Sequence, residues 1–267
     1  MWIDTHCHLD AHEFGDQSLA LAARAQEAGV GMVVIPAVAR DNFDIVRALA
    51  HQAPNACYAL GIHPIYVPHA VEDDLVFMRE AVASAMADPR FVAIGEIGLD
   101  FFIPMLCEPE MREKQVFFLR EQLKIARDFA LPVLCHVRKS QDQVLKHVRQ
   151  IVPAGGIAHA FNGSFQQAQA YIEAGFKLGF GGNLTFTRAL QIRRLAAELP
   201  LSSIVVETDA PDISPSWIHP AVNTPAEVAG IGAVLADLRG DGAACVAKAT
   251  TRNALDVMPR LRALMAA

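Results

Sequence analysis

The chain has 267 residues, of which 52% are hydrophobic and 19% are charged, so it can bury a large core in two domains or in one barrel-sized domain. The formal net charge is −6. The chain therefore lacks the excess of basic residues that is typical of proteins that bind nucleic acid broadly. No apolar run reaches the roughly 20 residues of a membrane span, the first residues lack a signal-peptide layout, and five scattered cysteines do not suggest disulfides. We therefore expect a cytoplasmic protein.

Apolar, β-branched runs alternate with helical patterns along the whole chain. Eight runs are predicted strands, at residues 2–9, 31–38, 56–63, 91–98, 132–137, 157–161, 176–182 and 203–209. Apolar residues at spacings of three and four predict helices between them, for example over 111–130 and 164–174, with a last helical stretch at about 242–257. Eight strands alternating with helices indicate a (β/α)8 TIM barrel, and an open doubly wound sheet is the alternative.

The lengths of the predicted loops favour the barrel. Connections from a helix to the next strand are short, as at residues 28–31, 88–90 and 174–176. Connections from a strand to the next helix are often long, as at residues 63–70, 99–110 and 211–225. Barrel enzymes place their sites in the loops at the carboxyl ends of the strands. We predict an α/β protein with one barrel domain over residues 1–267.

Histidines and carboxylates lie near the carboxyl ends of five predicted strands. They are His6 and His8 in the first, Glu96 in the fourth, His136 in the fifth, His159 in the sixth and Asp209 in the eighth. A barrel brings these strand ends to one rim, so residues far apart in sequence become neighbours. Any one of these histidines alone is more often a satisfied core residue than a ligand. Six such residues at one rim instead predict a metal site.

Imidazole and carboxylate groups suit zinc, manganese, iron or nickel. Six side chains exceed what one tetrahedral ion takes, so we predict two divalent ions that share a bridging carboxylate. Such a pair can activate a water and clamp the oxygens of a phosphate or a carbonyl group. His63 ends the third predicted strand and faces the same rim, either as a substrate contact or as a support for a ligand.

Seven motifs spread over nearly the whole chain resemble the TatD family of metal-dependent deoxyribonucleases, a branch of the amidohydrolase-like barrels. They are D-T-H-C-H-L-D (4–10), G-I-H-P (61–64), G-E-I-G-L-D-F (95–101), C-H-V-R (135–138), H-A-F-N-G-S (159–164), E-T-D-A-P (207–211) and T-T-R-N-A (250–254). The resemblance implies His6, His8 and Asp209 on one metal ion, His136 and His159 on the other, and Glu96 between them. Residues 219–225, H-P-A-V-N-T-P, depart from the basic residue and N-E-P that family members usually carry.

The leading functional hypothesis is hydrolysis of a phosphodiester, with DNA as a candidate substrate, by a water activated by zinc, manganese or magnesium. Asp209 and Glu96 are the candidate catalytic carboxylates, with Asp209 as general base. Arg138 is a candidate fork for a phosphate oxygen, or a surface ion-pair partner. The loop aromatics Phe101, Phe102 and Trp217 could stack on bases, although capping of the core is slightly favoured.

Two alternatives stay open. The same metal site could hydrolyse a carbonyl substrate such as a lactone or an amide. The barrel could also serve a non-enzymatic binding role, but the sequence indicates no membrane attachment and no obligate protein partner.

Overall fold

A computed structural model describes residues 1–266 as alternating strands and helices. The strands are β1 (Trp2–Asp4), β2 (Val30–Pro36), β3 (Ala56–Leu60), β4 (Phe91–Asp100), β5 (Val133–Arg138), β6 (Gly156–His159), β7 (Phe176–Phe180) and β8 (Ile204–Val206). The helices are α1 (Ser18–Glu27), α2 (Phe43–Gln52), α3 (Glu72–Ala85), α4 (Pro109–Asp128), α5 (Gln141–Ile151), α6 (Phe165–Glu173), α7 (Leu190–Glu198), α8 (Val228–Arg239), α9 (Ala243–Val257) and α10 (Pro259–Ala266).

The strands form one parallel sheet in sequential order from β1 to β8. Backbone hydrogen bonds join the residues that follow β1 to the β8 side. The amide of Thr5 donates to the carbonyl of Val206 at 3.2 Å, and the amide of Asp209 donates to the carbonyl of His6 at 2.8 Å. These bonds bring the first and last strands together, and the predicted (β/α)8 barrel is confirmed.

Two apolar clusters form the core of the protein. The larger one lies between the strands and the surrounding helices. The smaller one contains strand residues such as Ile3, Val34 and Leu134, together with residues from the segment 254–261, and it lies inside the barrel. Met258 and Leu261 close its amino-terminal end.

The prediction that the helical pattern ends near residue 257 was wrong, because Pro259 begins a further helix, α10. Pro is well suited to the first position of a helix, where its missing N–H leaves no hydrogen bond unmade. The guanidinium of Arg260 donates to the carbonyls of Met86, Asp88 and Phe91, and so anchors α10 under the start of β4.

The first and last strands are shorter than predicted. β1 ends at Asp4 instead of residue 9, and β8 ends at Val206 instead of residue 209. Beyond Asp4 the backbone bonds alternately to both neighbours, with Cys7 N donating to Val34 O at 3.1 Å and His8 N to Ala210 O at 2.8 Å. The chain therefore leaves the regular ladder at the point where it enters the mouth of the barrel.

None of the helices within residues 1–266 has both the length and the apolar character needed to cross a membrane.

Candidate metal centre

Glu96, in the middle of β4, lies at the centre of the barrel mouth and is buried. Its Oε2 lies 3.1 Å from Nε2 of His6 and 3.3 Å from Nε2 of His8. Its Oε1 lies 3.0 Å from Nδ1 of His136 and 3.4 Å from Nε2 of His63. The two carboxylate oxygens thus face two different pairs of histidines, which is the arrangement of a carboxylate shared between two binding positions.

Asp209 lies on the other side of the same cluster, in the loop after β8. Its Oδ1 lies 3.8 Å from Nε2 of His6, 3.7 Å from Nε2 of His8 and 3.4 Å from Nε2 of His159. The rings of His6 and His159 stack with their centroids 3.6 Å apart. Asp209 has a φ of 57°, a left-handed conformation that aspartate tolerates better than most residues.

The structure therefore brings together all six predicted ligand residues, and His63 with them. Within residues 1–266, three sets have their ligand atoms within 4.8 Å of one another: His6–His8–Asp209, His6–Glu96–His159 and His63–Glu96–His136. The first set is the one that the family resemblance implies for one metal ion. His136 and His159 do not share a set, so the assignment of both to the second ion stays a prediction.

His63 is held by a backbone contact that bears on its role. Its Nδ1 accepts a hydrogen bond from the amide of Ile65 at 3.1 Å, so the neutral ring carries its proton on Nε2. That nitrogen faces Oε1 of Glu96. The contact is then a hydrogen bond donated to Glu96, which supports the carboxylate and leaves His63 without a lone pair for a cation there.

Two further carboxylates stand behind the cluster. Oδ2 of Asp100 lies 3.0 Å from Nε2 of His136, and Oε1 of Glu207 lies 2.9 Å from Nδ1 of His159. Each leaves the other ring nitrogen directed at the centre. Carboxylates in this position fix the orientation of metal-binding histidines and raise their basicity. Asp100 was missed by the sequence analysis, although period-2 alternation along β4 places it on the same face as Glu96.

Asp4 and Asn223 connect the segments that carry His6 and Asp209. Asp4 accepts hydrogen bonds from the hydroxyl and the amide of Thr208, at 2.6 and 2.9 Å. Burial raises the pKa of Asp4 to about 8 in spite of these bonds. Nδ2 of Asn223 donates to the carbonyls of Thr208 and Asp212, both at 2.9 Å. Asn223 belongs to the segment that departs from the family pattern, and it holds the loop around Asp209.

Glycines let neighbouring strands approach Glu96 closely. A Cβ on Gly98 would lie 2.0 Å from the carbonyl oxygen of His136, and one on Gly95 would lie 2.6 Å from Cβ of Leu134. The group packed against each of these glycines is the next strand, β5.

The electrostatics of the cluster favour ionised acids. Burial alone would raise the pKa of Glu96, but the facing His63 and His6 outweigh it and hold that pKa well below its usual range. Burial also opposes ionisation of Asp209, yet the nearby His159, His6 and His8 lower the pKa of Asp209 to about 2. Glu96 and Asp209 in turn overcome the burial of His8 and raise its pKa to about 9.

The donor set fits divalent metal ions. Nε2 of His6 and Nε2 of His8 lie 3.3 Å apart while both face carboxylate oxygens. A single proton cannot be shared among so many converging lone pairs of nitrogen and oxygen atoms, whereas a divalent cation can bind several of them as ligands. Nδ1 of His6 is buried without a hydrogen-bond partner within residues 1–266, so no second protein group stabilises a doubly protonated ring. Nitrogen and carboxylate donors together suit zinc or manganese.

Arg138 lies at the edge of this cluster, at the end of β5, with about half of its side chain exposed. Its guanidinium carbon is 3.9 Å from the ring centroid of Phe102, and Nη1 is 3.8 Å from Oδ2 of Asp100. Lys139 lies 4.9 Å from the same ring. Phe102 and Trp217 are exposed, so the favoured expectation of core capping was wrong for these two, whereas Phe101 packs against the core.

Fold and site together define a single (β/α)8 barrel with a candidate dinuclear metal centre at the carboxyl ends of its strands. A family model described as "TatD related DNase" matches residues 3–259. The chain belongs to the TatD family.

Relatives over the full length support this membership. The chain is 39% identical to the Escherichia coli (strain K12) protein named "Uncharacterized metal-dependent hydrolase YjjV", over 94% of this chain and 95% of that protein. It is 34% identical to an "Uncharacterized metal-dependent hydrolase" of Haemophilus influenzae, over 96% and 98%. The crystal structure of YjjV, a TatD homolog from Escherichia coli, superimposes with a TM-score of 0.90 at 36% identity and covers 97% of this chain and 98% of that one.

Proposed function

We propose that this chain, a metal-dependent hydrolase of the TatD family, hydrolyses phosphodiester bonds with two divalent metal ions at the barrel mouth. The observation that carries the proposal is Glu96, whose two buried oxygens face separate histidine pairs. The ligands in this proposal are His6, His8, Glu96, His136, His159 and Asp209. Zinc, manganese and magnesium are the candidate ions.

Bound divalent ions would lower the pKa of a coordinated water and offset the negative charge of a phosphate. The chain's own groups supply the rest. Asp209 is ionised at neutral pH, and its side chain, about 15% exposed, is open to the mouth. It therefore accepts the proton of the attacking water as general base. Glu96, which is almost fully buried, stays ionised and holds the histidines in place.

Arg138 is the proposed anchor for a phosphate oxygen. Its guanidinium is exposed at the rim, and its contact with Asp100 ties it to the carboxylate that also orients His136. The planar fork of an arginine suits two oxygens of a phosphate. The exposed ring of Phe102 beneath it offers a surface on which a base can stack.

The proposal is tested with protein loaded with manganese, magnesium, zinc or cobalt, on a single-stranded oligodeoxynucleotide and on an aryl phosphodiester. His136→Ala is compared with His51→Ala, which removes a histidine at the opposite end of the barrel, where it contacts Asp88. We expect hydrolysis of both substrates by the wild type and the His51 variant, and loss of it in the His136 variant.

Lactones and carboxylic esters are assayed in parallel. Hydrolysis of these substrates without hydrolysis of any phosphodiester would replace the proposal by the carbonyl alternative. Absence of hydrolysis with all four metals would argue against a hydrolytic role altogether.

A further inference from the structure

A cavity of about 630 Å³ is lined by Met1, by one face of α9 and by Arg262 of α10. Met1 directly precedes β1, so the cavity lies at the amino ends of the strands, opposite the mouth that carries the metal centre. The hydroxyl of Thr251 on α9 donates to the carbonyl of Met1 at 3.1 Å, which fixes α9 against the start of the first strand. The volume is within the range of pockets that bind small molecules.

One side of this cavity is apolar, with Met1, Ala244, Ala247 and Leu255 in its lining. The side chain of Met1 lies across the start of β2, where a Cβ on Gly31 would be 2.3 Å from its Sδ. Met1 is nevertheless 61% exposed. An apolar group that enters the cavity can cover the thioether of Met1, and the removal of this surface from water favours binding.

The other side of the cavity carries an excess of positive charge. Lys248, Arg252 and Asp256 follow one another at intervals of four on α9 and share one face of it, and Arg262 completes the charged lining. Three cations therefore stand against one carboxylate, which leaves two positive charges in excess. The chain as a whole has a net charge of −6, so this face has the opposite sign to the average surface and attracts anions.

Arg252 is held in a position from which it can bind a ligand. Its neighbours Thr251 and Asn253 are buried, and Nδ2 of Asn253 donates to the carbonyls of Leu201 and Ile204, both at 2.7 Å. These bonds fix the helix on either side of Arg252, whose side chain is 81% exposed. The T-T-R-N-A motif, to which Arg252 belongs, thus has two members that anchor α9 and one that points outward.

The single carboxylate of the cavity does not occupy the donors of Arg252. Asp256 contacts the guanidinium of Arg262 through Oδ1. Its Oδ2 is 3.8 Å from Nε of Arg252, which is too long for a hydrogen bond. A phosphate monoester carries a charge of about −1.5 to −2 at neutral pH and three acceptor oxygens. It therefore matches the excess charge of the cavity more closely than a carboxylate, which has one negative charge.

We infer that this cavity binds a phosphate monoester whose organic group is apolar. The phosphate lies between Lys248 and Arg252, and the organic group covers Met1 and Ala244. Residues of the metal centre do not line the cavity, so the inference is independent of the proposed hydrolysis and adds a second binding site at the other end of the barrel.

The test measures the binding of 1-naphthyl phosphate to the metal-loaded protein by isothermal titration calorimetry. The same titrations are made with His136→Ala, which lacks a proposed metal ligand at the opposite end of the barrel. Binding that persists in this variant is binding away from the metal centre. We expect the variant and the wild type to share a site of the same affinity for the ester.

Three substitutions at the cavity are then introduced. Arg252→Ala should weaken this binding by about tenfold, the effect of one lost charge-assisted hydrogen bond, and Lys248→Ala should weaken it in the same direction. Ala244→Trp, at an exposed position, should block the apolar side without a change of charge. Arg194→Ala on α7 is the matched control, since Arg194 is also exposed and has an acidic partner four residues later; it should keep the wild-type affinity.

Two further ligands separate the contributions of charge and apolar surface in the His136→Ala protein. Inorganic phosphate lacks the organic group, and 1-naphthalenemethanol lacks the charge, so both should bind more weakly than 1-naphthyl phosphate. Equal affinity for either of them would overturn the inference. Loss of all binding in His136→Ala, or equal binding by Arg252→Ala, Lys248→Ala and the wild type, would also overturn it, because the ester would then lie on the metal ions or elsewhere.

Discussion

Oδ2 of Asp100 lies 3.0 Å from Nε2 of His136, while Oδ1 of the same carboxylate accepts the amides of Phe102 and Ile103 at 2.8 and 3.1 Å. The backbone amides thus fix Oδ1 of Asp100, and Oδ2 in turn fixes the imidazole of His136. Burial would raise the pKa of Asp100, but His136 and the two amides lower it to about 2. An ionised, immobile acceptor behind His136 keeps the Nδ1 of that ring directed at Glu96.

Asp100→Asn should lower both metal affinity and kcat by about 10–100-fold, because an amide cannot orient the imidazole in the same way. The measurement is a metal titration against a competing chromophoric chelator, paired with phosphodiester assays. Asp142→Asn, at an exposed position on α5, serves as the matched control. Wild-type metal affinity in Asp100→Asn would show that this carboxylate supports only the local backbone.

In the proposed two-ion centre, Glu96 is the donor shared by both positions. Glu96→Gln should therefore lower the metal content below two ions per chain and cost more activity than Asp100→Asn. The amide keeps the size of the side chain, so the fold should persist. Metal content is determined by mass spectrometry after gel filtration, with circular dichroism as the check on folding. Retention of two ions at wild-type affinity would contradict the proposed bridging role of Glu96.

Removal of metal by a chelator should destabilise the protein. At a metal concentration of 100 times Kd, binding stabilises the folded state by about 2.7 kcal/mol. In a domain of this size we expect a fall in Tm of about 5–10 °C on chelation, reversed by zinc or manganese. Differential scanning calorimetry measures the change in Tm. A Tm that changes with neither chelator nor added metal would count against a metal site in the folded protein.

Gly98→Ala should lower the free energy of unfolding by about 3 kcal/mol, since the new methyl group would overlap the carbonyl oxygen of His136. Gly98 also has a φ of 153°, which L-residues rarely adopt. Urea denaturation measures the loss. Gly242→Ala is the control, because its Cβ would meet no atom within 4 Å. Equal stability of the two variants would show that β4 and β5 can separate at little cost.

Asp88, at the amino-terminal end of the barrel, should make stability depend on pH. It accepts hydrogen bonds from His51 at 2.7 Å, Tyr58 at 2.9 Å and the amide of Arg90 at 3.0 Å. Burial alone would raise its pKa, but these bonds lower it below the ordinary 3.8. Stability from a lowered pKa is present above the unfolded value and is lost as the pH falls through the folded one.

Asp88→Asn should therefore cost about 1–3 kcal/mol at neutral pH. The difference in the free energy of unfolding between variant and wild type should narrow below pH 3.8. Denaturant midpoints measured from pH 7 to pH 3 test this. A constant gap across that range would show that the hydrogen bonds, and not the ionisation of Asp88, carry the difference.

Much of the fold could be read from local patterns. Strand and helix periodicities recur eight times, and the length contrast between the two kinds of loop selects a barrel, so Glu96, His136 and His159 could be assigned to one rim. The boundaries of β1 and β8 could not be read in this way. Residues after Asp4 alternate like a strand, but their backbone bonds are shared between β2 and β8, a pattern visible only once the barrel closes.

The sequence by itself determined which residue types line the mouth, because the alternation of apolar residues and the number of strands can be recognised from short stretches of the chain. Only the tertiary structure decided which oxygen of Glu96 faces which histidine, and that Asp100 lies behind His136. The contacts of Glu96 and Asp100 with these histidines join residues 33 to 90 positions apart. They depend on side-chain directions at the mouth of the barrel, and local propensity carries no information about those directions.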